Sequence, residues 1–393
     1  MNAAAAVLLL ALPALAGEPL TLVQALRQAG SASLPAEAAR LSLAAARQEE
    51  ARARSPYWPE LQVQGGYRWL DERPGLLSQP ISLGPMQIGP FQTPPVVVPP
   101  QVFPTEDRRH WQYRVSLQYL VWDFGRRDRE LAAAREGVAG TGFQGGAEVR
   151  RAQGEAAARY LALLDLKAQR RVLRQRQAAL EGHRTAVQAL FEHGVVARND
   201  LLRTEVALRR VVDADRALDA AEASAREALN VALGRPAAEP FDLPVDLAGP
   251  PELPWDEAAC RAKATEANDA VRALAAKVRA LDQRTSALRR DRLPTVVAEA
   301  SHTYAQNPYL AHEHENALFL GLSWKVFDGG GRTARADQSE AESARARREL
   351  LEARRQAGAG AVAAFRAYRQ ALRETETAET NARAAEENLR IVT

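Results

Sequence analysis

Cysteine is almost absent from this chain. Cys260 is the only one in 393 residues, which excludes an intrachain disulfide. Aromatic residues are sparse at 6%, while Ala, Arg, Glu and Gln dominate the long middle section. That composition favours long helices over a compact sheet core. A large charge of one sign is missing too. The balance of 52 basic against 49 acidic residues leaves +3, too even to imply a nucleic-acid partner. Long apolar runs are lacking apart from Ala3 to Leu15, which is too short, and too interrupted by Pro13, to cross a bilayer as a helix. The run fits the apolar stretch of a signal peptide over residues 1–16, cut after Ala16. Gly17 rather than Cys follows, so no lipid anchor is expected.

Catalytic signatures are also lacking. No Ser/His/Asp or Cys/His arrangement stands in a recognisable catalytic context, so neither an enzyme nor a cofactor is expected. His312-Glu313-His314-Glu315, with His302 nearby, has ligand-type side chains, but neighbours in a short loop point apart and no metal site is assigned. Gly329-Gly330-Gly331-Arg332 lacks Walker spacing and reads as a backbone bend.

What the chain does have is alternation. In the stretch His110 to Arg126, Trp111, Tyr113, Val115, Leu117, Tyr119 and Val121 are apolar, and Gln112, Arg114, Ser116 and Gln118 between them are polar. A period of two puts the apolar set on one face of a strand. Such a ribbon suits either a wall between lipid and water or a soluble sheet over a core. Upstream, a helix over 20–54, broken near Gly30 to Pro35, stops at Pro56 and Pro59, and a strand follows over 60–70. Pro74 to Pro104 is too proline-rich for a regular element and reads as a surface excursion. A second strand over 110–122 leads into a helical hairpin over 126–233. Leu166, Leu173, Leu180 and Val187 recur every seven residues with polar neighbours, a narrow coiled-coil seam. Gly194 turns the chain and Asn199-Asp200 caps the return helix. A proline-rich linker covers 234–254.

The plan then repeats. A helix over 255–292 stops at Pro294, strands cover 295–304 and 316–327, and a long helix runs over 332–393. The prolines are offset by 294 − 59 = 235 and the aspartates by 328 − 123 = 205. The difference is the size of the excursion, which marks residues 17–249 and 250–393 as two repeats. Four strands of about ten residues have membrane-spanning length but cannot close a barrel alone, so several copies would share one. Trp69, Trp111, Tyr113, Tyr119, Trp122, Tyr304 and Trp324 stand at or near strand ends, as an interfacial girdle would.

This duplicated order of helix, proline, strand, loop, strand, junction and very long helix resembles the TolC-type outer-membrane efflux channel family. Asp123, Gly125 and Arg126, with Asp328, Gly329, Gly330, Gly331 and Arg332, look like its strand-to-helix junctions. Gly194, Val195, Val196 and Asp200 look like its helical-hairpin tip. The resemblance implies a mostly α chain with a small β part. Four strands per protomer would join a trimeric twelve-stranded outer-membrane barrel, and long helical hairpins would form a periplasmic α-barrel. It also implies docking of the tip onto a periplasmic adaptor serving an inner-membrane transporter. The second tip would fall near 194 + 205 = 399, so the given chain reads as a truncated copy. Drug efflux and type I protein secretion stay open as alternatives. Outside the channel class stand a periplasmic coiled-coil adaptor and a soluble α+β enzyme.

Overall fold

A computed structural model describes residues 19–244, 249 and 253–392. The signal-peptide reading of residues 1–16 therefore lies outside the described residues. The chain forms α1 (Leu22–Ala32), α2 (Leu34–Arg54), a 3₁₀ turn (Ser55–Tyr57) and β1 (Glu60–Trp69). Six short strands follow: β2 (Gly75–Leu77), β3 (Ile81–Leu83), β4 (Gln87–Ile88), β5 (Phe91–Gln92), β6 (Val96–Val98) and β7 (Val102–Pro104). Then come β8 (Arg109–Trp122), α3 (Arg126–Glu192), α4 (Arg198–Leu233), α5 (Glu257–Ala267), α6 (Asp269–Arg290), β9 (Thr295–Ala305), β10 (His314–Ser323) and α7 (Gly331–Val392). Among the described residues no helix is long and apolar enough to cross a membrane.

Two compact units emerge. One takes in the residues up to Ala46, Val138–Ala276 and the stretch from Arg347; the other is Arg47–Gly137 with Lys277–Ala346. The first is helical. Its core gathers Leu20, Ala25, Ala29, Ala156, Tyr160, Leu163, Leu229 and Leu233. Tyr160 is fully buried and donates its hydroxyl to the Leu20 carbonyl at 2.9 Å, and burial raises its pKa. The sheltered positions of α4 step by threes and fours through Leu201, Thr204, Leu208, Val211, Asp215, Leu218, Glu222, Ala225 and Leu229. That is the 3.5-residue period of a coiled-coil seam. Leu166, Leu173 and Leu180 of α3 are half-buried and Val187 is buried.

The second unit is built on one antiparallel sheet of order β1-β8-β9-β10. Val63 faces Val115, Val115 faces His302, and Ala300 faces Leu318. β1 and β10 are left as open edges within the chain.

Three expectations need correcting. The stretch over 74–104 is not irregular: β2–β7, β3–β6 and β4–β5 pair as nested antiparallel ladders around Gly89-Pro90. Its prolines fall between the paired segments, apart from Pro104 at the end of β7, so few ladder donors are lost. Gly89, with φ +66°, opens the two-residue turn that proline density alone did not reveal. Residues 255–292 are two helices, because Asn268 is extended (φ −70°, ψ 123°) and its Oδ1 accepts from the Ala270 and Val271 amides at 2.8 and 3.4 Å. The α4 cap is Ala197, with Asn199 and Asp200 inside the first turn.

The two numerical offsets reach deeper than prolines and aspartates. The N-caps Thr21 and Asp256 differ by 256 − 21 = 235, and the helix breaks Ser33 and Asn268 by 268 − 33 = 235. β1 and β9 start 295 − 60 = 235 apart. Past the excursion, β8 and β10 start 314 − 109 = 205 apart, as do α3 and α7 at 331 − 126 = 205.

Candidate functional site

The sheet has two unlike faces. In antiparallel pairs, directly opposed residues share a face. One face therefore carries Leu61, Val63, Tyr67, Trp111, Tyr113, Val115, Leu117 and Tyr119 with Ala298, Ala300, Tyr304, Leu318 and Leu320, interrupted towards the loop end by His302, Asn316 and His314. Most of these side chains are exposed, Leu318 by 85% and Val63 by 67%, while Val115 and Ala298 are half-buried. The other face carries Gln62, Gln64, Arg114, Ser116, Gln118, Glu299 and Thr303. There Arg114 donates to Thr303 Oγ1 at 3.2 Å and Gln118 to Glu299 Oε2 at 3.4 Å. Bare apolar surface on a folded sheet costs about 25 cal/mol per Å² in water, so this face is built for a non-aqueous neighbour.

The aromatic residues form two groups along the strands. At the loop end, Tyr67 packs on Trp111 at 5.1 Å and Tyr113 on Tyr304 at 5.2 Å, with Trp69 closing β1. At the helix end stand Tyr119, Trp122 and Trp324. Trp122 meets Phe124 edge-on at 6.1 Å, and the Trp324 indole donates to the Arg292 carbonyl at 3.0 Å. Trp324 lies just past β10, which stops at Ser323 rather than running to 327. His302 and His314 stack at 5.4 Å, and His302 Nδ1 sits 2.8 Å from Asn316 Oδ1. Among the described residues no three His, Cys, Asp or Glu side chains come together to hold a metal.

The two strand-to-helix junctions share one geometry. Asp123 is 3% exposed, and its carboxylate accepts from the Gly125 amide at 3.1 Å and the Arg127 amide at 2.9 Å. Asp328 accepts from the Gly330 amide at 3.2 Å and the Arg332 amide at 3.1 Å. Each aspartate thus caps a helix and ties down the turn before it. Two successive left-handed residues make the bend, Phe124 and Gly125 (φ 56° and 78°) in one case and Gly329 and Gly330 (φ 66° and 87°) in the other. Next, an arginine reaches back. Arg127 donates to the carbonyls of Leu120 (2.7 Å), Val121 (3.2 Å) and Pro56 (3.1 Å). Arg332 donates to the carbonyl of Asp291 at 2.9 Å and to that of Lys325. Leu120 and Lys325 stand 205 apart, and Pro56 and Asp291 stand 235 apart, so each arginine bonds repeat-equivalent partners.

Arg127, not Arg126, is therefore the counterpart of Arg332, since 127 + 205 = 332. Arg126 instead turns to Glu130 at 3.2 Å. The signal for Arg127 was the offset itself. Arg127 also stacks over the Tyr57 ring at 4.8 Å, and Tyr57 donates to the Asp128 carboxylate. The Tyr57 phenol is pushed up to about 12 by burial, then by that bond and the Asp128 charge. The Asp328 carboxyl is held below its ordinary range, chiefly by its bond to the Arg332 guanidinium.

The hairpin tip is a Schellman turn. Gly194 takes φ 73°, its amide donates to the Phe191 carbonyl at 2.9 Å, and the Val195 amide donates to that of Leu190 at 2.8 Å. Val195 and Asp200 are exposed and Val196 is half-buried. Back along α3 from the tip stands Arg170. It is 20% exposed and pairs with Asp215 at 3.2 Å, Glu222 at 3.1 Å and Asp219. Burial by itself would lower its pKa, yet the hydrogen bonds to Glu222 and Asp215 hold it above the ordinary range.

The site is thus an open sheet with one exposed, largely apolar face and one largely polar face, each of its two hairpins running through a capped bend into a long helix. Solved structures share this fold. The fold matches CusC (TM-score 0.73, 14% identity, 93% of this chain and 79% of that one). It also matches the open state of the Neisseria gonorrhoeae MtrE outer membrane channel (0.72, 17%, 94% and 78%). A third match is the outer membrane protein VceC from Vibrio cholerae (0.68, 14%, 91% and 81%). No curated protein matches the chain. The fold is that of the TolC-type outer-membrane channels. Residues 261–393 match the sequence model of the outer membrane efflux protein family.

Proposed function

We propose that the protein is the outer-membrane channel of a tripartite efflux system. It is a passive conduit that carries small molecules, delivered by an inner-membrane transporter through a periplasmic adaptor, to the exterior. The observation that carries this is the sheet: four strands, one apolar face and two unpaired edges. Exposed strand edges seek partners, and three copies pairing β1 to β10 give twelve strands with no edge left. Trp111 and Trp122 stand 122 − 111 = 11 residues apart in β8. At about 3.3 Å per residue that is about 36 Å of strand. At a tilt of about 40° it is about 28 Å of height, the thickness of a bilayer's hydrocarbon core.

In this reading Trp69, Trp111, Tyr113, Tyr119, Trp122, Tyr304 and Trp324 sit at the two lipid interfaces, and Arg114, Gln118 and Glu299 face the water-filled lumen. The junctions at Asp123 and Asp328 turn each strand into a tunnel helix. The tip around Gly194, Val195, Val196 and Asp200 meets the adaptor. A periplasmic adaptor is disfavoured because membrane-length strands precede both helical arms. The purified protein is expected to give discrete conductance steps in planar bilayers and to run as a heat-sensitive trimer on gels. Recovery as a monomer in the soluble periplasmic fraction would sink the reading.

A further inference from the structure

Between Arg73 and Glu106 lie 105 − 74 + 1 = 32 residues without a single Asp, Glu, Lys, Arg or His. This is the excursion that only the first repeat carries. It is an extension of the β1–β8 hairpin: beyond Trp69 and Arg109 the backbone keeps pairing at Leu70–Arg108, Pro74–Thr105, Ser78–Gln101 and Met86–Thr93. The 16 residues of its first arm, counted from Pro74 to Gly89 (89 − 74 + 1), span about 50 Å at strand rise. Its base is clamped by charge. Arg68 pairs with Glu106 at 2.8 Å and Arg73 with Asp107 at 3.2 Å, and Asn307 ties the Thr105 carbonyl to the β9–β10 loop at 3.0 Å.

Beyond the clamp the ribbon changes character. Leu76 faces Phe103 on one side and Leu77 faces Val102 on the other, so both faces are apolar. All four are exposed, as are Ile88 and Phe91 at the tip. A wall strand has one lipid face and one wet face, and this ribbon does not. Contact with an anionic outer-leaflet surface calls for Lys or Arg, and it has none. Packing against its own copies fits both features. Around a symmetry axis any charge meets identical charges, whereas apolar side chains on either face find matching ones. Continuity with β1, the edge strand, brings the ribbon to the neighbouring protomer.

Resting on the trimeric channel reading, we propose that the three hairpins over 74–105 pack against one another as an apolar cap across the outer mouth of the barrel. The test uses the full chain with Cys260→Ser and either Phe91→Cys or Val97→Cys, oxidised in intact cells. Disulfide-linked dimers on denaturing gels are expected at one or both positions. Replacing residues 74–105 with Asn-Gly should at least double single-channel conductance. Heat-sensitive trimers that form no cross-link at either position would overturn the cap and leave the channel reading intact. Quenching of a Phe91→Trp variant by brominated lipid would overturn it too, by placing the ribbon in the bilayer. A monomer would overturn the channel reading itself, and the cap with it.

Discussion

A guanidinium that bonds three main-chain carbonyls does a task no shorter side chain can take over. The Arg127 side chain is held at 11% exposure between the end of β8 and the 3₁₀ turn. Of its carbonyl partners Leu120 is half-buried, whereas Pro56 and Val121 are exposed and can take up water. Leaving a sheltered acceptor unmade costs about 1–3 kcal/mol. Arg127→Ala should therefore lose about 2 kcal/mol, most of it at Leu120. Arg127→Lys should fall between wild type and alanine, since an ammonium cannot reproduce the planar fork. Arg126→Ala removes a half-exposed pair with Glu130 and should stay within about 0.5 kcal/mol. Denaturant midpoints in detergent micelles would compare the three, and equal losses at 126 and 127 would refute this account of the bend. Phe124 adds a further local feature, a large residue at φ 56° where the second junction has Gly329. Its ring contact with Trp122 offsets a backbone cost of about 1 kcal/mol.

At the scale of elements, the helical hairpin carries an ion cluster inside its seam. Asp215 and Glu222 occupy seam positions of α4, and Arg170 neutralises both. Removing the arginine leaves Asp215 only the longer pair with Arg174 at 3.9 Å and Glu222 only Arg226 at 3.0 Å. Because the cluster is partly exposed, the expected loss for Arg170→Ala is about 1–2 kcal/mol at low salt, shrinking as salt rises. Adding Glu222→Gln should recover part of it, with a coupling of at least about 0.5 kcal/mol in a double-mutant cycle; simple additivity would dismiss the cluster as a unit. This cluster shows why the sequence could be read so far and no further. The strands, the long helices and both bends were visible because period and spacing are local, and 235 and 205 are sums over one chain. The pairing of Arg170 was not legible because its partners lie 215 − 170 = 45 or more residues away, across a turn whose register only the fold sets. The break at Asn268 was legible through its offset from Ser33, but a polar residue inside a helix-forming run is not by itself a stop. The ladders over 74–104 stayed hidden because proline density argues against a strand, while pairing needs only short proline-free segments.

For the whole molecule, the proposed channel divides conduction and docking between different residues. In it the shared barrel, whose strands end at Trp122 and Ser323, would conduct, and the tip that begins at Gly194 would dock. The tip offers an apolar contact, since Val195 is 68% exposed beside Leu190, itself bonded through its carbonyl to the Val195 amide. An adaptor seated there would dehydrate Val195. Placing a carboxylate at that position would bury an unpaired charge in the interface at about 2 kcal/mol or more, a roughly thirty-fold loss of affinity. Val195→Asp should therefore raise intracellular accumulation of an exported dye towards the level of a deletion strain. It should leave the heat-sensitive trimer and its conductance steps unchanged, because neither depends on the tip. Full export by this variant would remove the tip from the docking surface. Loss of the trimer would show instead that Gly194 and Val195 serve the folding of the hairpin, and pairing Val195→Asp with Val195→Thr, which keeps the shape without the charge, separates the two outcomes.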